Sequence, residues 1–100
     1  MRIEGMGKPP GCKLIRFSAD LEEGIIRTIG IRGDFLASPE EGFDRAERRL
    51  RGVALEELET AFDRLLAEEG VETLGIDGAG LARVFRDALA SGAQRPGGHN

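Results

Sequence analysis

The sequence predicts an α+β fold in which a small antiparallel sheet packs on three amphipathic helices. Two stretches near the N-terminus alternate apolar and polar residues, which is typical of half-buried strands. Three stretches further along the chain place apolar residues at helical spacing. A sheet of two or three strands needs a cover for its apolar face, and these helices are the segments that can supply it.

The two strands are predicted to form an N-terminal β-hairpin over Lys13–Leu21 and Ile25–Phe35. One face of the first strand carries Ile15, Phe17, Ala19 and Leu21. The connection Glu22–Gly24 has the length and the final glycine of a three-residue hairpin loop. In the return strand, Arg27 interrupts an apolar face that otherwise consists of Ile29, Ile31 and Phe35.

The first helix has a clear start signal. Ser38 is predicted to cap it, with Pro39 at its first position and Glu41 completing a capping box. This helix should end at Gly52, because glycine readily adopts the left-handed conformation that ends helices. Its predicted buried side chains are Phe43, Ala46 and Leu50.

Two more helices and a short strand are predicted in the second half of the chain. Helical spacing of apolar residues runs from Leu55 to Leu66, and Gly70 should end that helix in the left-handed conformation. Val71–Leu74 is a candidate third strand, and Asp77 is the predicted cap of the last helix. The apolar stripe of that helix is Leu81, Val84, Phe85, Ala88 and Leu89.

The same patterns set the predicted boundaries of the domain. Residues 1–6 show no periodicity and are expected to be frayed. Residues 7–90 are expected to form one domain, and residues 91–100, which lack an apolar pattern, a disordered tail.

Charge and composition exclude several classes of function. Residues 34–91 carry seven basic and fourteen acidic side chains, and an acidic helical half argues against a nucleic-acid module. No apolar run of 18 residues exists, so no membrane association is expected. Cys12 is the only cysteine, which excludes an intramolecular disulfide. Together these features predict a soluble, cytoplasmic protein.

No nucleophile–base pair can be assembled from the sequence. His99, the only histidine, lies in the predicted tail. Cys12 has no histidine partner, although Lys8 and Lys13 could lower the pKa of its thiol. The segment Gly75–Gly80 suggests a phosphate loop, but its spacing fits neither the dinucleotide nor the Walker motif, and a capped helix entry explains it better.

The loop Lys8–Lys13 is the most informative segment for function. Two prolines stiffen it, Gly11 lets its backbone approach a partner, and its two lysines offer ammonium donors. Such a loop could contact a carboxylate or phosphate held by another protein at little cost in ordering entropy. The simpler interpretation is that the loop leads into the hairpin and that its lysines are merely solvated.

An ordered series of short motifs runs from this loop to the first helix. The loop residues are followed by a strand end and a helix start, and the matching positions are Lys8, Pro10, Gly11, Lys13, Leu14, Gly33, Asp34, Phe35, Pro39 and Glu40. In this order the motifs resemble the small accessory domain of lipoate–protein ligases, which is found at the C-terminus of the large enzyme or as a separate subunit. The resemblance covers residues 7–90, and Cys12 stands where the family often has glycine.

The resemblance implies a non-catalytic accessory subunit of an ATP-dependent lipoate–protein ligase. In that family the large subunit holds ATP, Mg²⁺ and lipoate, forms lipoyl-adenylate and transfers the lipoyl group, while the accessory part supports adenylation. The implied partners are this large subunit and, indirectly, lipoyl acceptor domains; the chain alone would bind no cofactor. The residues implied to face the partner or the adenylate are Lys8, Pro10, Gly11, Lys13, Asp34 and Phe35.

One alternative belongs to a different class of protein. The chain could be a stand-alone, homo-oligomeric interaction module that has kept the fold without ligase activity. So small a sheet has an exposed edge, through which two copies can pair. A domain excised from a longer ligase fits less well, because the chain starts with Met and ends in a polar tail.

Overall fold

The computed structural model describes residues 1–91 and confirms the α+β class. Strands β1, β2 and β3 form one antiparallel sheet in that order, and β4 and β5 form a second, two-stranded sheet. A short 3-10 helix, Leu55–Glu57, leads directly into α2. The elements are, in chain order, β1 (Arg2–Gly7), β2 (Ile15–Glu22), β3 (Ile25–Gly33), β4 (Leu36–Ser38), α1 (Glu40–Arg49), α2 (Leu58–Glu68), β5 (Glu72–Leu74) and α3 (Gly78–Ala90).

The central strand β2 carries the predicted alternation. Its four inward side chains are at most 4% exposed, and they are Ile15, Phe17, Ala19 and Leu21. The helices cover this face of the sheet: α3 packs on β1 and β2, α1 packs beside β3, and α2 lies against both helices. The phenyl rings of Phe17 and Phe85 stack across the junction of sheet and helix, with ring centroids 3.8 Å apart.

The hairpin forms, but its turn and part of its register differ from the prediction. Glu22 pairs with Ile25, so the connection has two residues rather than three. Glu23 and Gly24 both have positive φ, 53° and 78°, as a type I′ turn requires. A bulge then leaves Arg27 without a partner on β2, which turns Arg27 to solvent and Ile26, at 0% exposure, into the core.

The prediction that residues 1–6 are frayed is wrong, because residues 2–6 belong to β1. Ile3 pairs with Ala19 and is fully buried. Gly5 lies so close to α3 that a Cβ atom there would be 2.8 Å from the Ala88 Cβ. The alternation of apolar and polar residues is not visible in the sequence of β1, because glycines occupy inward positions and face the core without a side chain. The predicted tail, residues 91–100, lies outside the described residues except for Ser91.

The candidate third strand exists but joins a different sheet. β5 covers Glu72–Leu74 and pairs antiparallel with β4, so Leu36 lies opposite Leu74. The return strand of the hairpin correspondingly ends at Gly33 rather than at Phe35.

The start of α1 also corrects the prediction. The helix begins at Glu40, Pro39 precedes it with extended backbone, and no side chain caps its first turn, so the predicted capping box with Ser38 is absent. α1 ends at Arg49, before the predicted Gly52. The signals at Asp77 and Gly70 are confirmed. Asp77 Oδ1 accepts a hydrogen bond of 2.8 Å from the Gly80 N–H at the start of α3, and Gly70 adopts a φ of 69° after α2.

One edge of the three-stranded sheet is covered by other parts of the chain and the other edge is open. The outer edge of β3 is covered, because Ile25 forms a bridge with Ala54 and the Ile31 N–H donates to Glu47 Oε2 at 2.7 Å. The outer edge of β1 pairs with no strand among residues 1–91. One open edge therefore remains for pairing with another chain.

An ion-pair network joins the second half of α1 to the end of α2. Arg45 Nε donates to Glu69 at 2.7 Å, and Arg49 bonds to both Glu68 and Glu69 at 2.8 and 3.2 Å. The hydrogen bond from Arg49, followed by that from Arg64, lowers the pKa of the Glu68 carboxyl. The pKa of Glu69 is likewise lowered, chiefly by its hydrogen bond from Arg45.

Replacing Phe62 by alanine should be severely destabilising. Phe62 is fully buried, and its ring meets that of Phe43 edge-on at a centroid distance of 6.2 Å. Removing a buried phenyl group leaves a cavity that costs about 3–5 kcal/mol of unfolding free energy. Urea unfolding measures this cost. Leu74→Ala is the control, because Leu74 is 63% exposed; equal losses from both variants would contradict the assignment of the core.

The ion-pair network should make stability depend on acid pH. A carboxyl group whose pKa is lowered on folding stabilises the folded state at pH values above its ordinary pKa, 4.5. This contribution is lost as the pH falls through the lowered pKa. Wild type should therefore lose more unfolding free energy between about pH 5 and about pH 3 than the double variant Glu68→Gln/Glu69→Gln. Urea titrations at both pH values test this expectation. Parallel losses in the two proteins would show that the network contributes nothing.

Candidate functional site

The loop Lys8–Lys13 is built on a tight turn. The Cys12 N–H donates to the Pro9 carbonyl at 2.9 Å, which closes a turn with Pro10 and Gly11 at its centre. Gly11 has a φ of 79°. Proline followed by a residue with positive φ is the preferred sequence of a type II turn. The predicted stiff loop is therefore present, and its shape is set by its own residues.

A second contact fixes the end of the loop to the segment that follows β5. The Lys13 N–H donates to the Gly75 carbonyl at 2.9 Å. A Cβ atom on Gly75 would lie 2.4 Å from the Lys13 Cγ, so the lysine stem packs directly on the bare glycine backbone. Gly75 also has a φ of 99°, a conformation that favours glycine. Two residues far apart in sequence are thus joined at this point.

A third contact brings the loop and the end of β3 together. The Asp34 N–H donates to the Leu14 carbonyl at 2.9 Å. Gly33 permits this approach, since a Cβ atom there would lie only 2.0 Å from the Leu14 oxygen. The two motifs predicted separately, Lys8–Lys13 and Gly33-Asp34, are therefore neighbours in space.

The predicted site residues differ in how accessible they are. Lys8, Pro10, Gly11, Lys13 and Asp34 are exposed. Within residues 1–91, neither lysine takes part in an ion pair with a carboxylate. Phe35 differs from the other five, because it is half-buried and its ring packs against Phe43 at a centroid distance of 5.4 Å. The loop thus presents two unneutralised ammonium groups, whereas Phe35 contributes to the core.

Cys12 does not behave as an activated thiol. Partial burial and the carboxylate of Asp77 raise the pKa of this thiol, which outweighs the opposing hydrogen bond from the Asp77 backbone. The expected lowering by the neighbouring lysines is therefore wrong. The Cys12 sulfur instead fills space beside Gly80, where a Cβ atom would lie 2.6 Å away from it. Its role is to pack the loop against the start of α3.

The start of α3 is no phosphate site, in agreement with the capped-entry interpretation. The Gly78 N–H donates to Asp63 Oδ1 at 2.8 Å, and the Gly80 N–H donates to Asp77 Oδ1 at the same distance. Two carboxylates thus occupy the donors that a phosphate would need. Among the described residues, no group of three His, Cys, Asp or Glu side chains could hold a metal ion. The described part of the chain also has no helix long and apolar enough to cross a membrane.

Sequence reasoning missed the residues that hold the loop from outside. Gly75 and Gly33 act through close backbone contacts, and Asp63 secures the helix entry beneath them. The high number of glycines, 15 in 100 residues, is the one signal that pointed to such contacts. It does not say which glycine meets which loop.

The fold and loop define a small α+β module with a stiff, basic loop and no histidine in residues 1–91. No family model matches the chain. It is 34% identical over 73 residues to lipoate-protein ligase A subunit 2 of Thermoplasma acidophilum, covering 73% of this chain and 77% of that protein. This chain therefore belongs to the family of small lipoate–protein ligase subunits.

A solved structure supports the same relationship at the level of the fold. It describes a bipartite lipoate protein ligase of Thermoplasma acidophilum and its E2 lipoyl domain. One of its chains matches this protein with a TM-score of 0.69 and 29% identity. The match covers 86% of this chain and 98% of that chain.

Substituting Gly75 should disturb the loop as well as the backbone. Gly75→Ala has to bear a positive φ and a contact with the Lys13 stem. Gly52→Ala is the matched control, because Gly52 has a φ of 86° but open space around its Cβ position. Gly52→Ala should cost about 1–2 kcal/mol for the left-handed conformation alone. Gly75→Ala should cost at least about 1 kcal/mol more in urea unfolding; equal costs would show that Lys13 is not packed on Gly75.

Proposed function

We propose that this chain is the accessory subunit of a bipartite lipoate–protein ligase and supports formation of lipoyl-adenylate by a separate large subunit. The observation that carries the proposal is the 34% identity, over 73 residues, to lipoate-protein ligase A subunit 2. The similar solved chain comes from a bipartite ligase described with its E2 lipoyl domain. The proposed direct partner is therefore the large ligase subunit, and the indirect partner is a lipoyl acceptor domain.

The chain is proposed to be non-catalytic by itself. One observation that supports this is that the backbone donors at the start of α3, which could otherwise bind a phosphate, are used by Asp63 and Asp77. ATP, Mg²⁺ and lipoate are proposed to be held by the large subunit. The proposed location of the complex is the cytoplasm.

The contribution of this chain is proposed to come from the loop Lys8–Lys13. Lys13 is exposed, belongs to no ion pair within residues 1–91, and sits on a backbone held by Gly75. A positive charge on an ordered loop can stabilise negative charge that develops at a carboxylate or phosphate bound by the partner. Because the loop is already ordered, little conformational entropy is lost when it docks.

A second candidate function rests on the open edge of β1. A stand-alone module would pair this edge with β1 of another copy and continue the sheet across the dimer. Sedimentation of the isolated chain distinguishes the two candidates, because this alternative requires a dimer in the absence of any ligase subunit.

The test of the proposed function is reconstitution with the large ligase subunit of the same organism. Lipoate-dependent release of pyrophosphate from ATP should require both proteins, and neither this chain nor its variants should give release alone. Lys13→Ala should slow release by about tenfold, equivalent to about 1.4 kcal/mol in the barrier. Transfer from preformed lipoyl-adenylate should be unaffected.

The control for this variant is Arg27→Ala. Arg27 is an exposed cation at the turn end of the hairpin, whereas Lys13 precedes the opposite end of β2. Removing the Arg27 side chain should leave the rate of pyrophosphate release unchanged. If Lys13→Ala and wild type release pyrophosphate equally fast at saturating accessory chain, the loop has only a structural role. If wild type gives no stimulation, the accessory function itself is wrong.

A further inference from the structure

The two-stranded sheet exposes a pair of leucines. Leu36 and Leu74 are 66% and 63% exposed, and they lie directly opposite each other in the register of β4 and β5. Side chains at opposed positions of an antiparallel pair are in contact range, so the two form one apolar patch. The other large apolar side chains exposed within residues 1–91, Met1 and Met6, belong to the first strand region instead.

Carboxylates border this leucine pair on one side. A groove of about 880 Å³ lies beside β4 and β5, and its lining includes Glu40, Glu41, Asp44 and Glu72. None of these four takes part in an ion pair with a cation of residues 1–91. Two of the arginines in the second half of α1, Arg45 and Arg49, do not relieve this charge, because they are paired with Glu68 and Glu69.

The leucine pair is also continuous with the basic loop. Leu74 immediately precedes Gly75, whose carbonyl accepts the Lys13 N–H. Leu36 follows Asp34 by two residues, and the Asp34 N–H donates to the Leu14 carbonyl. Leu36 and Leu74 also line the groove together with the four carboxylates. The leucine pair is therefore adjacent to the basic loop along the chain and belongs to the same groove as the carboxylates.

We propose that the leucine pair and the acidic groove together form the docking surface for the large ligase subunit. The inference rests on the proposed accessory function and adds to it the chemistry of the partner: an apolar contact for Leu36 and Leu74, bordered by Lys or Arg side chains that meet the four carboxylates. An apolar centre with a charged rim is the usual anatomy of a protein–protein interface. A symmetric contact with a second copy is disfavoured, since it would place the same acidic groove against itself.

The test is calorimetric titration of the large ligase subunit of the same organism with the full chain and four variants. Leu74→Ser should weaken binding at least tenfold, whereas Met6→Ser should leave it unchanged, because Met6 is equally exposed, at 64%, on a different sheet. Glu72→Lys should also weaken binding and reduce its dependence on salt. Glu56→Lys, which changes the net charge identically at an exposed position on the 3-10 helix, should do neither.

Thermal unfolding of each variant checks that the fold is kept, which is expected for such exposed positions. If the wild type binds and neither Leu74→Ser nor Glu72→Lys weakens binding, the proposed docking surface is wrong. That result would not contradict the accessory function. Absence of wild-type binding would overturn both. Two further results would assign the patch to a different occupant and overturn the proposal. One is that the isolated chain self-associates and Leu74→Ser abolishes this. The other is that an isolated lipoyl domain binds and Leu74→Ser weakens this binding.

Discussion

The buried face of β2 is the constraint on which the rest of the structure depends. This strand pairs with β1 on one side and β3 on the other, and its inward side chains are covered by the helices. Ile15 begins the strand at 0% exposure, so the position of the chain just before it is fixed by the core. Leu14 and Lys13 then bond to Asp34 and Gly75 through their backbones. The loop Lys8–Lys13 is therefore held by the core, although none of its charged groups lies there.

The distribution of charge follows from which arginines are already used. The second half of α1 is rich in arginine, but Arg45 and Arg49 are paired with the carboxylates that end α2. The carboxylates at the other end of α1 take part in no ion pair within residues 1–91, and the same is true of Glu72 on β5. A chain with a net charge of −4 thus presents a basic loop and an acidic groove in which two exposed leucines lie among the carboxylates. This separation favours one orientation of a partner, because a reversed partner would meet like charges.

The sequence predicted those elements whose signals are local. Alternation identified β2, and Asp77 and Gly70 marked the ends of helices through their own side chain or backbone. Two local predictions, the Ser38 capping box and the three-residue turn, were wrong. The failure at β1 has a different cause, because there a non-local contact decides the outcome. β1 contains a single fully buried side chain, Ile3, and its remaining inward positions are Gly5 and Gly7, which carry no periodic signal. Glycine is needed at position 5 because α3 passes too close for a Cβ atom, and no residue within β1 reveals that.

The candidate site was predictable to the same extent and for the same reason. Pro10 and Gly11 define the turn of the loop locally, so its stiffness was visible in the sequence. The contact that holds the loop in place was not visible in the sequence. Gly75 lies far along the chain, and it acts through its backbone carbonyl and its lack of a Cβ atom. This arrangement also explains how a loop whose lysine ammonium groups are exposed can stay ordered. One backbone hydrogen bond closes the turn within the loop, and two more fix the chain at Lys13 and Leu14, while the Lys13 ammonium group stays exposed.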